Sequence, residues 1–420
     1  MRKSVACLLI LSVLAIGLFA NGTVEETKTT TLTVWDRNAE MEGVVNLFNA
    51  EMEKTGQPIR AKFELIPHEQ EVSKFMAAIS AGTAPDIYSL DLVQFPYFIS
   101  IGAFANIDDL YQSMPYKNSL PQDMLVVGAK DGKQYALPYE IDLSVVLYNK
   151  TMFREAGLDP DSPPETWDAF IKDAIALTKD KDNDGTIDQW GTALVGNDAG
   201  SYMFWFMPFV WGNNGNMFTD QGEVVFDSPE VRETLQMWYD LIHKYKVAPE
   251  SSAQWSGGDR YNAFVAGQLG MFLGGNFNIT SLKQDAPDLD FGVAFIPANK
   301  GKTATFGGGN MIGITAQCKH YEAACKFIEY AYSEDVLLTN YAPKMALVPR
   351  SDLYDNKYYK QIPQMMDFAR ILKNARTPFS YKYNQIYDSV LYYLQGALLD
   401  KIPVNNAVTK CAEDITKVLK

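Results

Sequence analysis

Apolar residues in the first part of the chain alternate between strand spacing and helix spacing. Residues 31–35 and 59–65 alternate apolar with polar side chains, and residues 86–91 form a third short run that ends on an acid. Residues 39–54 and 72–79 carry apolar side chains at helical intervals. This order predicts a parallel α/β sheet, in which ligands gather at the carboxyl ends of the strands. The residues at that edge are Trp35, Asp36 and Asp91.

The central segment, residues 137–149, combines an apolar run with clustered polar groups. Residues 145–147 (VVL) predict a strand buried on both faces. Tyr139, Glu140 and Asp142 precede the run, and we expect them at the mouth of the strand, where buried polar groups need a partner. Residues 150–156 predict a short helix that ends at Gly157.

The rest of the chain continues the alternation of helices and strands. The apolar patterns predict helices over 163–177, 201–211, 229–242, 259–264, 320–332 and 404–419, and strands over 269–273, 291–296 and 311–314. Trp205, Trp211 and Trp238 lie in helical stripes, so we expect them in the core. The glycines of residues 307–310 are expected to precede the strand at 311–314.

Length and charge narrow the class of protein. A chain of 420 residues is too long for one compact core and predicts two domains. Hydrophobic residues at 47% exclude a disordered chain. A formal charge of -14 disfavours nucleic acid and anionic lipid as partners and is compatible with neutral or cationic ligands.

The N-terminus has the pattern of a signal peptide. Arg2 and Lys3 precede an apolar stretch at 5–19, which predicts a signal peptide over residues 1–22, cleaved after Ala20 or Gly22. An uncleaved membrane anchor is the alternative. The cysteines that follow are odd in number, which provides no disulfide framework, and we expect them to be small buried hydrophobes: Cys318, Cys325 and Cys411.

Several motifs resemble those of the family 1 extracellular solute-binding proteins, the sugar-capturing receptors of bacterial ABC importers. The similar segments are 135–140 (YALPYE), 146–150 (VLYNK), 153–157 (FREAG), 82–87 (GTAPDI), 307–310 (GGGN), 345–350 (MALVPR) and the predicted C-terminal helix. Together they cover nearly all of the chain after the signal peptide.

The resemblance implies an α/β, two-lobed, periplasmic-binding-protein-like fold of type II with three crossovers between the lobes. The crossovers fall near 139–142, 306–309 and 347–350. Lobe 1 then comprises residues 23–139 and 309–347, and lobe 2 comprises residues 142–306 and 350–420. In the family, the first crossover is both hinge and cleft wall.

Sugar binding requires a flat apolar ring face and paired donors and acceptors for hydroxyls in an enclosed site. Trp35 and Trp255 are candidates for stacking, although a tryptophan is more often a core residue; the small-residue loop at 251–258 favours the functional interpretation for Trp255. Tyr139 would lie in the cleft wall. The hydrogen-bonding candidates are Asp36, Asp91, Glu140, Asn276, Asn310 and Arg376. Arg376 pairs either with the ligand or with a cleft carboxylate.

The loop at 180–188 has the spacing of a calcium site. Carboxylates at its first, third, fifth and ninth positions and a backbone carbonyl at the seventh would supply hard oxygen ligands: Asp180, Asp182, Asp184, Thr186 and Asp188. The twelfth position, which is normally a bidentate glutamate, is Gly191. A structural Ca²⁺ and a solvated turn with local side-chain hydrogen bonds are both compatible with this pattern.

The function expected from the resemblance is capture of a sugar or oligosaccharide by lobe closure, followed by delivery to the permease of an ABC transporter. The protein would be an exported, soluble, periplasmic monomer with no catalytic cofactor. His68, His243 and His320 stand in unrelated settings, and Ile296 replaces the first glycine of a phosphate loop that would end at Thr303. The alternatives are a receptor for a polyol, glycerophosphodiester or polyamine, an exported glycoside hydrolase that uses paired carboxylates, and a surface adhesin.

Overall fold

A computed structural model describes residues 29–194, 196–197, 199–219, 222–377, 380 and 382–420, so the predicted signal peptide lies outside the described residues. The strands are β1 Thr30–Asp36, β2 Ile59–Leu65, β3 Ile87–Asp91, β4 Ala129–Lys130, β5 Lys133–Gln134, β6 Leu137–Asn149, β7 Met271–Gly275, β8 Phe291–Ala294, β9 Thr305–Ile314 and β10 Ala375–Arg376. The helices are α1 Glu40–Lys54, α2 Glu71–Ala81, α3 Phe95–Ser100, α4 Asp108–Ser113, α5 Gln122–Leu125, α6 Lys150–Glu155, α7 Trp167–Leu177, α8 Ala199–Ser201, α9 Met207–Gly212, α10 Pro229–His243, α11 Gly257–Val265, α12 Asn278–Asp285, α13 Tyr321–Ala331, α14 Glu334–Val336, α15 Lys357–Lys360, α16 Pro363–Ile371, α17 Tyr383–Leu398 and α18 Val404–Leu419. Two π-helical segments, Tyr202–Phe206 and Leu337–Tyr341, follow α8 and α14.

The described strands form one large sheet and a separate β4–β5 hairpin. The large sheet has the order β2-β1-β3-β9-β6-β7, with β10 added to β9 and β8 added to β6. β1 is parallel to both β2 and β3, whereas β9 is antiparallel to β3 and β6. The predicted parallel sheet at the start of the chain is confirmed, and Asp36 and Asp91 end two neighbouring strands of it.

Strands β6 and β9 run through both parts of the sheet. Residues 137–143 of β6 pair with β9, whereas residues 144–149 pair with β7 and β8. Residues 310–314 of β9 pair with β3, and residues 305–306 pair with β10. We call β2, β1, β3 and the adjoining parts of β9 and β6 the first half-sheet, and β7, β8 and the second part of β6 the second half-sheet. A bridge between Ile141 and Leu347 brings a third segment to the same place.

The structure corrects the position of the polar residues in the central segment. Tyr139, Glu140 and Asp142 lie inside β6 instead of at its mouth, and Asn310 lies inside β9 together with the three glycines before it. Pro138 is tolerated because the ladder shifts register between Pro138 and Glu140. The glycines do not break the strand, because they allow a close approach of two backbones.

The core confirms the predicted burial of the tryptophans in the helices. Trp205, Trp211 and Trp238 are 6%, 4% and 0% exposed. Cys411 is buried as expected, but Cys318 and Cys325 are only half-buried. The buried face of α13 is formed by Ala324, Phe327 and Ile328 and not by Cys325. None of the helices among the described residues combines the length and the apolar character of a bilayer span.

Gly309 is expected to tolerate no side chain. Its φ is +110°, and a Cβ built there would lie 2.0 Å from the carbonyl oxygen of Glu140 on β6. Gly309→Ala should therefore lower the free energy of unfolding by about 2–4 kcal/mol, measured by chemical denaturation. In the control Gly258→Ala, the added Cβ has its nearest neighbour at 3.7 Å and should change stability little. Equal stability of the two variants would contradict the strain at the crossover.

Candidate functional site

One face of β6 and β9 carries the polar groups that the sequence singled out. Glu140 and Asp142 are two residues apart and therefore share a face of β6, opposite Asn310 and Gly308 of β9. A Cβ on Gly308 would lie 2.6 Å from the ring of Phe306, which places that ring on the same side. We call the surface formed by Glu140, Asp142, Phe306 and Asn310 the crossover face. Both carboxylates of this face are half-buried.

An acid pair lies at the end of the crossover face that adjoins β1. The side-chain nitrogen of Asn310 donates to Asp36 Oδ1 at 3.2 Å and to Glu140 Oε2 at 3.4 Å. Asn38, which follows β1, donates its backbone N–H to Asp36 Oδ1 at 2.8 Å and its side-chain nitrogen to Glu140 Oε2. The pair is thus held by uncharged amides. Burial raises the pKa of Asp36 to about 7 and that of Glu140 well above its ordinary value, and the charge of Asp36 adds to the rise at Glu140.

A second group of charges surrounds Arg37, immediately after β1. Arg37 lies 2.7 Å from Asp91 Oδ2 and 3.7 Å from Glu71 Oε1, and His68 Nδ1 lies 3.0 Å from the same Glu71 oxygen. Burial disfavours the charged form of Arg37, but Asp91, Glu71 and Asp142 together raise its pKa. The hydrogen bond to Glu71 raises the pKa of His68. Asp91 and Glu71 therefore have cationic partners, unlike the acid pair.

Asn276, after β7 of the second half-sheet, and Tyr383, on α17, lie near these groups. Asn276, just after β7, accepts a hydrogen bond from the Leu143 N–H at 2.7 Å and donates to the Ile141 carbonyl at 2.9 Å, so it fastens β7 to β6. The next side chain, Phe277, is 53% exposed. Burial raises the pKa of Tyr383, at the start of α17, and Asp91 contributes to this rise, which places Tyr383 near the first half-sheet.

The structure brings five of the predicted ligand residues together: Asp36, Asp91, Glu140, Asn276 and Asn310. Trp35 is 8% exposed, with its ring 5.7 Å from that of Tyr88 and below Lys74, so it belongs to the core of the first half-sheet. Tyr139 is 1% exposed and packs between Tyr332 and Tyr341.

The two other predicted ligand residues lie apart from this set. Trp255 is half-buried, and its carbonyl accepts from the N–H groups of Gly196 and Asn197. Arg376 is exposed on β10, beside Phe306 in the ladder, and forms no ion pair among the described residues. No contact within the described part of the chain joins either side chain to the acid pair.

Sequence reasoning did not name four residues of this region as ligand candidates: Arg37, Asn38, Asp142 and Phe277. For Asp142 the signal was available, since it is two positions from Glu140 and a strand places such residues on one face. For Phe277 the signal was an aromatic residue next to Gly274 and Gly275, where it has little to pack against. Nothing in the sequence predicted the partners of Arg37, because Glu71 and Asp91 come from other elements.

The loop at 180–188 gathers part of its predicted ligand set. Carboxylate oxygens of Asp180, Asp182 and Asp188 lie within 4.8 Å of one another. These side chains also accept backbone hydrogen bonds inside the loop, for example from Gly185 N–H to Asp180 Oδ2 at 2.9 Å. The donors are oxygens that suit Ca²⁺, but Asp184 does not belong to the close group.

Two surface cavities lie away from the crossover face. One of about 480 Å³ is lined by α7, α10 and Asn299. The other, about 600 Å³, lies between residues 119–124 and the segment around α16. Met124 and Ala375 line this second cavity and also flank Gly307, whose side of β9 is opposite to the crossover face.

A family described as "Bacterial extracellular solute-binding protein" matches residues 35–337. The chain belongs to this family. A binding protein of Brucella abortus is 24% identical over 364 residues, which are 86% of each chain. An arabinooligosaccharide-binding protein of Halalkalibacterium halodurans is 23% identical over 318 residues, covering 73% of this chain and 67% of the relative. The solved structure of an ABC transporter solute-binding protein of Thermotoga lettingae, bound with α-D-tagatose, is 26% identical with a TM-score of 0.80, and covers 93% of this chain and all of that one.

These similarities confirm the two-lobed α/β fold of this solute-binding protein. The crossover face lies on β6 and β9, the strands that join the two half-sheets. The residue boundaries assigned to the lobes from the sequence stay a prediction, as do the individual ligand contacts.

The Arg37 cluster provides a test of the electrostatics in this solute-binding protein. Arg37→Met would leave Asp91 without its cationic partner and Glu71, which is 1% exposed, with His68 alone. We therefore expect a loss of about 3 kcal/mol in the free energy of unfolding at pH 7, measured in urea. The matched control is Arg60→Met, because Arg60 pairs with an exposed Glu53 at 3.5 Å and its loss should cost less than about 1 kcal/mol. If both variants lose the same small amount, Arg37 does not stabilise the cluster.

Proposed function

We propose that this solute-binding protein captures a sugar or oligosaccharide between its lobes without altering it. The observation that carries the proposal is the crossover face itself, where half-buried carboxylates lie in a member of a family of solute receptors. Carboxylates accept hydrogen bonds from adjacent hydroxyls, and an exposed aromatic ring such as Phe277 offers an apolar surface to the C–H side of a sugar. Relatives that bind arabinooligosaccharides or tagatose support a carbohydrate as ligand.

Capture would proceed by closure of the lobes. Asp91 ends β3 of the first half-sheet and adds to the raised pKa of Tyr383 on α17, so a ligand held beside Asp91 would also lie near α17. Closure follows if the ligand binds the closed form more tightly than the open form. The closed complex would then dock on the permease of an ABC transporter, outside the cytoplasmic membrane, after export and removal of a signal peptide.

A carbohydrate panel tests this function. The intact protein is screened by thermal shift against mono- and oligosaccharides, and a binding sugar should raise Tm by mass action. Titration calorimetry with product analysis then separates a receptor, which leaves the sugar unchanged, from a glycoside hydrolase, which cleaves it. A rise in Tm only with a polyol, a glycerophosphodiester or a polyamine would assign the receptor to that solute.

Phe277 is the proposed stacking platform. Phe277→Ala should weaken binding of the sugar found in the panel about tenfold, because the ring face and its apolar area are lost. Tyr392→Ala is the matched control, since Tyr392 is 68% exposed on α17 and has no place on the crossover face. Calorimetry measures the Kd of both variants, and their Tm values show whether they are folded. An unchanged Kd in Phe277→Ala would exclude stacking on this ring.

We also propose that the loop at 180–188 binds a structural calcium ion. Support comes from the three carboxylates that converge within 4.8 Å. Residues Asp180, Asp182 and Asp188 would hold the ion by their side chains, and Asp184 and Thr186 would complete the shell.

Calcium at about 100-fold above its Kd should raise Tm by about 3–5 °C relative to chelator. Asp180→Asn with Asp188→Asn should abolish this rise, whereas the exposed control Asp288→Asn should retain it. An identical Tm with calcium and with chelator would favour the solvated turn. The saccharide panel, run in both conditions, also shows whether the ion affects ligand binding.

A further inference from the structure

The acid pair has no cation in contact among the described residues, unlike the neighbouring carboxylates Glu71 and Asp91. The nearest cation is Arg37, which is already committed to Asp91 at 2.7 Å and to Glu71 at 3.7 Å. Asp36 is 0% exposed, and neither Asp36 nor Glu140 belongs to an ion pair in the described part of the chain. Two buried carboxylates without a cation are expensive in a folded protein.

Two acceptors beside the pair have no hydrogen-bond donor within the described ranges, although the hydroxyl of Ser89 adjoins Asp36. Asn310 and Asn38 donate to one oxygen of each carboxylate, which leaves Glu140 Oε1, together with Asn310 Oδ1, buried and without a hydrogen-bond donor among the described residues. Asn310 is itself 1% exposed. Glu140 Oε1 and Asn310 Oδ1 would be satisfied by a group that donates, and the smallest such species is a proton on one of the carboxylates.

We propose that Asp36 and Glu140 hold one proton between them at neutral pH, and that its loss at higher pH destabilises the crossover and weakens ligand binding. The position of the pair supports this coupling, since Asp36 ends β1, Glu140 lies in β6 and Asn310 lies in β9. Two adjacent negative charges there repel each other across the strands that join the half-sheets.

The surroundings of the pair are predominantly acidic or neutral. The titratable groups that face it come from β1 and its following loop, α2, β3, β6 and the π-helical segment after α14; they are Arg37, Glu71, Tyr88, Asp91, Tyr139, Asp142 and Tyr341. His68 faces Glu71 and not the pair. Only Arg37 favours ionisation of the pair by its charge, whereas burial raises the pKa of both carboxyls.

The raised pKa values of Asp36 and Glu140 determine the direction of the pH effect on stability. A carboxyl whose pKa is higher in the folded than in the unfolded chain binds a proton on folding. Its contribution to the free energy of unfolding is therefore lost as the pH rises between these two pKa values. For Asp36 this range runs from about 4 to about 7. The substitutions Asp36→Asn and Glu140→Gln keep a side-chain oxygen that can accept hydrogen bonds from Asn38 and Asn310. The amide side chains cannot ionise, so these variants should not lose stability as the pH rises.

The experiment measures Tm from pH 5 to pH 8 in the intact protein, in Asp36→Asn, in Glu140→Gln and in the double variant. The difference in Tm between the double variant and the wild type should grow by about 5 °C over this range. Asp123→Asn, an exposed acid outside the pair, is the control and should follow the wild-type curve. Parallel curves for the wild type and all pair variants would overturn the proposal.

Infrared spectroscopy tests the proton directly and needs no variant that is stable at every pH. At pH 7 the wild type should show the C=O stretch of a protonated carboxylic acid, which disappears in whichever of the two single variants folds. Absence of that band overturns the proposal. Tm is also measured in sodium, potassium and calcium salts. If one cation raises the Tm of the wild type but not that of Asp36→Asn, the site binds that cation and not a proton, and the proposal is overturned.

The effect on affinity rests on the proposed function, whereas the effect on Tm does not. With the sugar from the panel, Kd of the wild type should increase between pH 6 and pH 8, and Kd of Asp36→Asn should increase less. If no sugar binds, the proposed function fails while the Tm and infrared results still decide the protonation of the pair. If a sugar binds with the same pH dependence in both proteins, only the coupling to affinity is overturned.

Discussion

The antiparallel ladder between β6 and β9 is the interaction on which the rest of the structure depends. Both strands serve the two half-sheets, so the hydrogen bonds that join them also join the two lobes. Their approach is so close at Gly309 that a Cβ would lie 2.0 Å from a carbonyl oxygen of the opposite strand. A functional group on this ladder is therefore held by backbone that belongs to both lobes.

The two sets of carboxylates near the ladder are stabilised in different ways. Glu71 and Asp91 share one guanidinium, whose planar donors can serve two acids at once. Asp36 and Glu140 share one side-chain amide, which donates hydrogen bonds but brings no charge. The first arrangement is a stable ionic cluster at neutral pH. The second holds two acids by amide hydrogen bonds alone, beside the ladder that joins the half-sheets.

Much of the fold could be predicted from the sequence, because local patterns set it. Residues 59–65 form the strand expected from their alternation, and the predicted helix at 404–419 has the same bounds in the structure. The crossover strands, β6 and β9, were harder to predict. Pro138 and the glycines before Asn310 ordinarily mark breaks, and only the partner strand shows that a register shift and a close approach keep them in the ladder.

The candidate site shows where local reasoning ends. Asp36, Glu140 and Asn310 were found as polar residues near the ends of apolar runs, but their mutual contact spans as many as 274 residues of sequence. Trp35 lies near the end of a strand, where an aromatic residue can form a ligand platform. It packs on Tyr88 and Lys74 instead, because its strand has neighbours on both sides in the first half-sheet. Burial of a single tryptophan depends on strand order, which the local pattern does not encode.

A face that accepts hydrogen bonds suits a guest that donates them. Asn38, Asn276 and Asn310 use their side-chain nitrogens within the protein, so the uncommitted groups of the crossover face are mainly carboxylate oxygens. Adjacent hydroxyls of a sugar offer donors at a spacing that a carboxylate can accept. Arg37 then supplies positive charge beside Asp142 and limits the repulsion between the acids. Under the proposed function, ligand recognition and the stability of the β6–β9 ladder would depend on the same few carboxylates, so a change of charge at one of them would affect both.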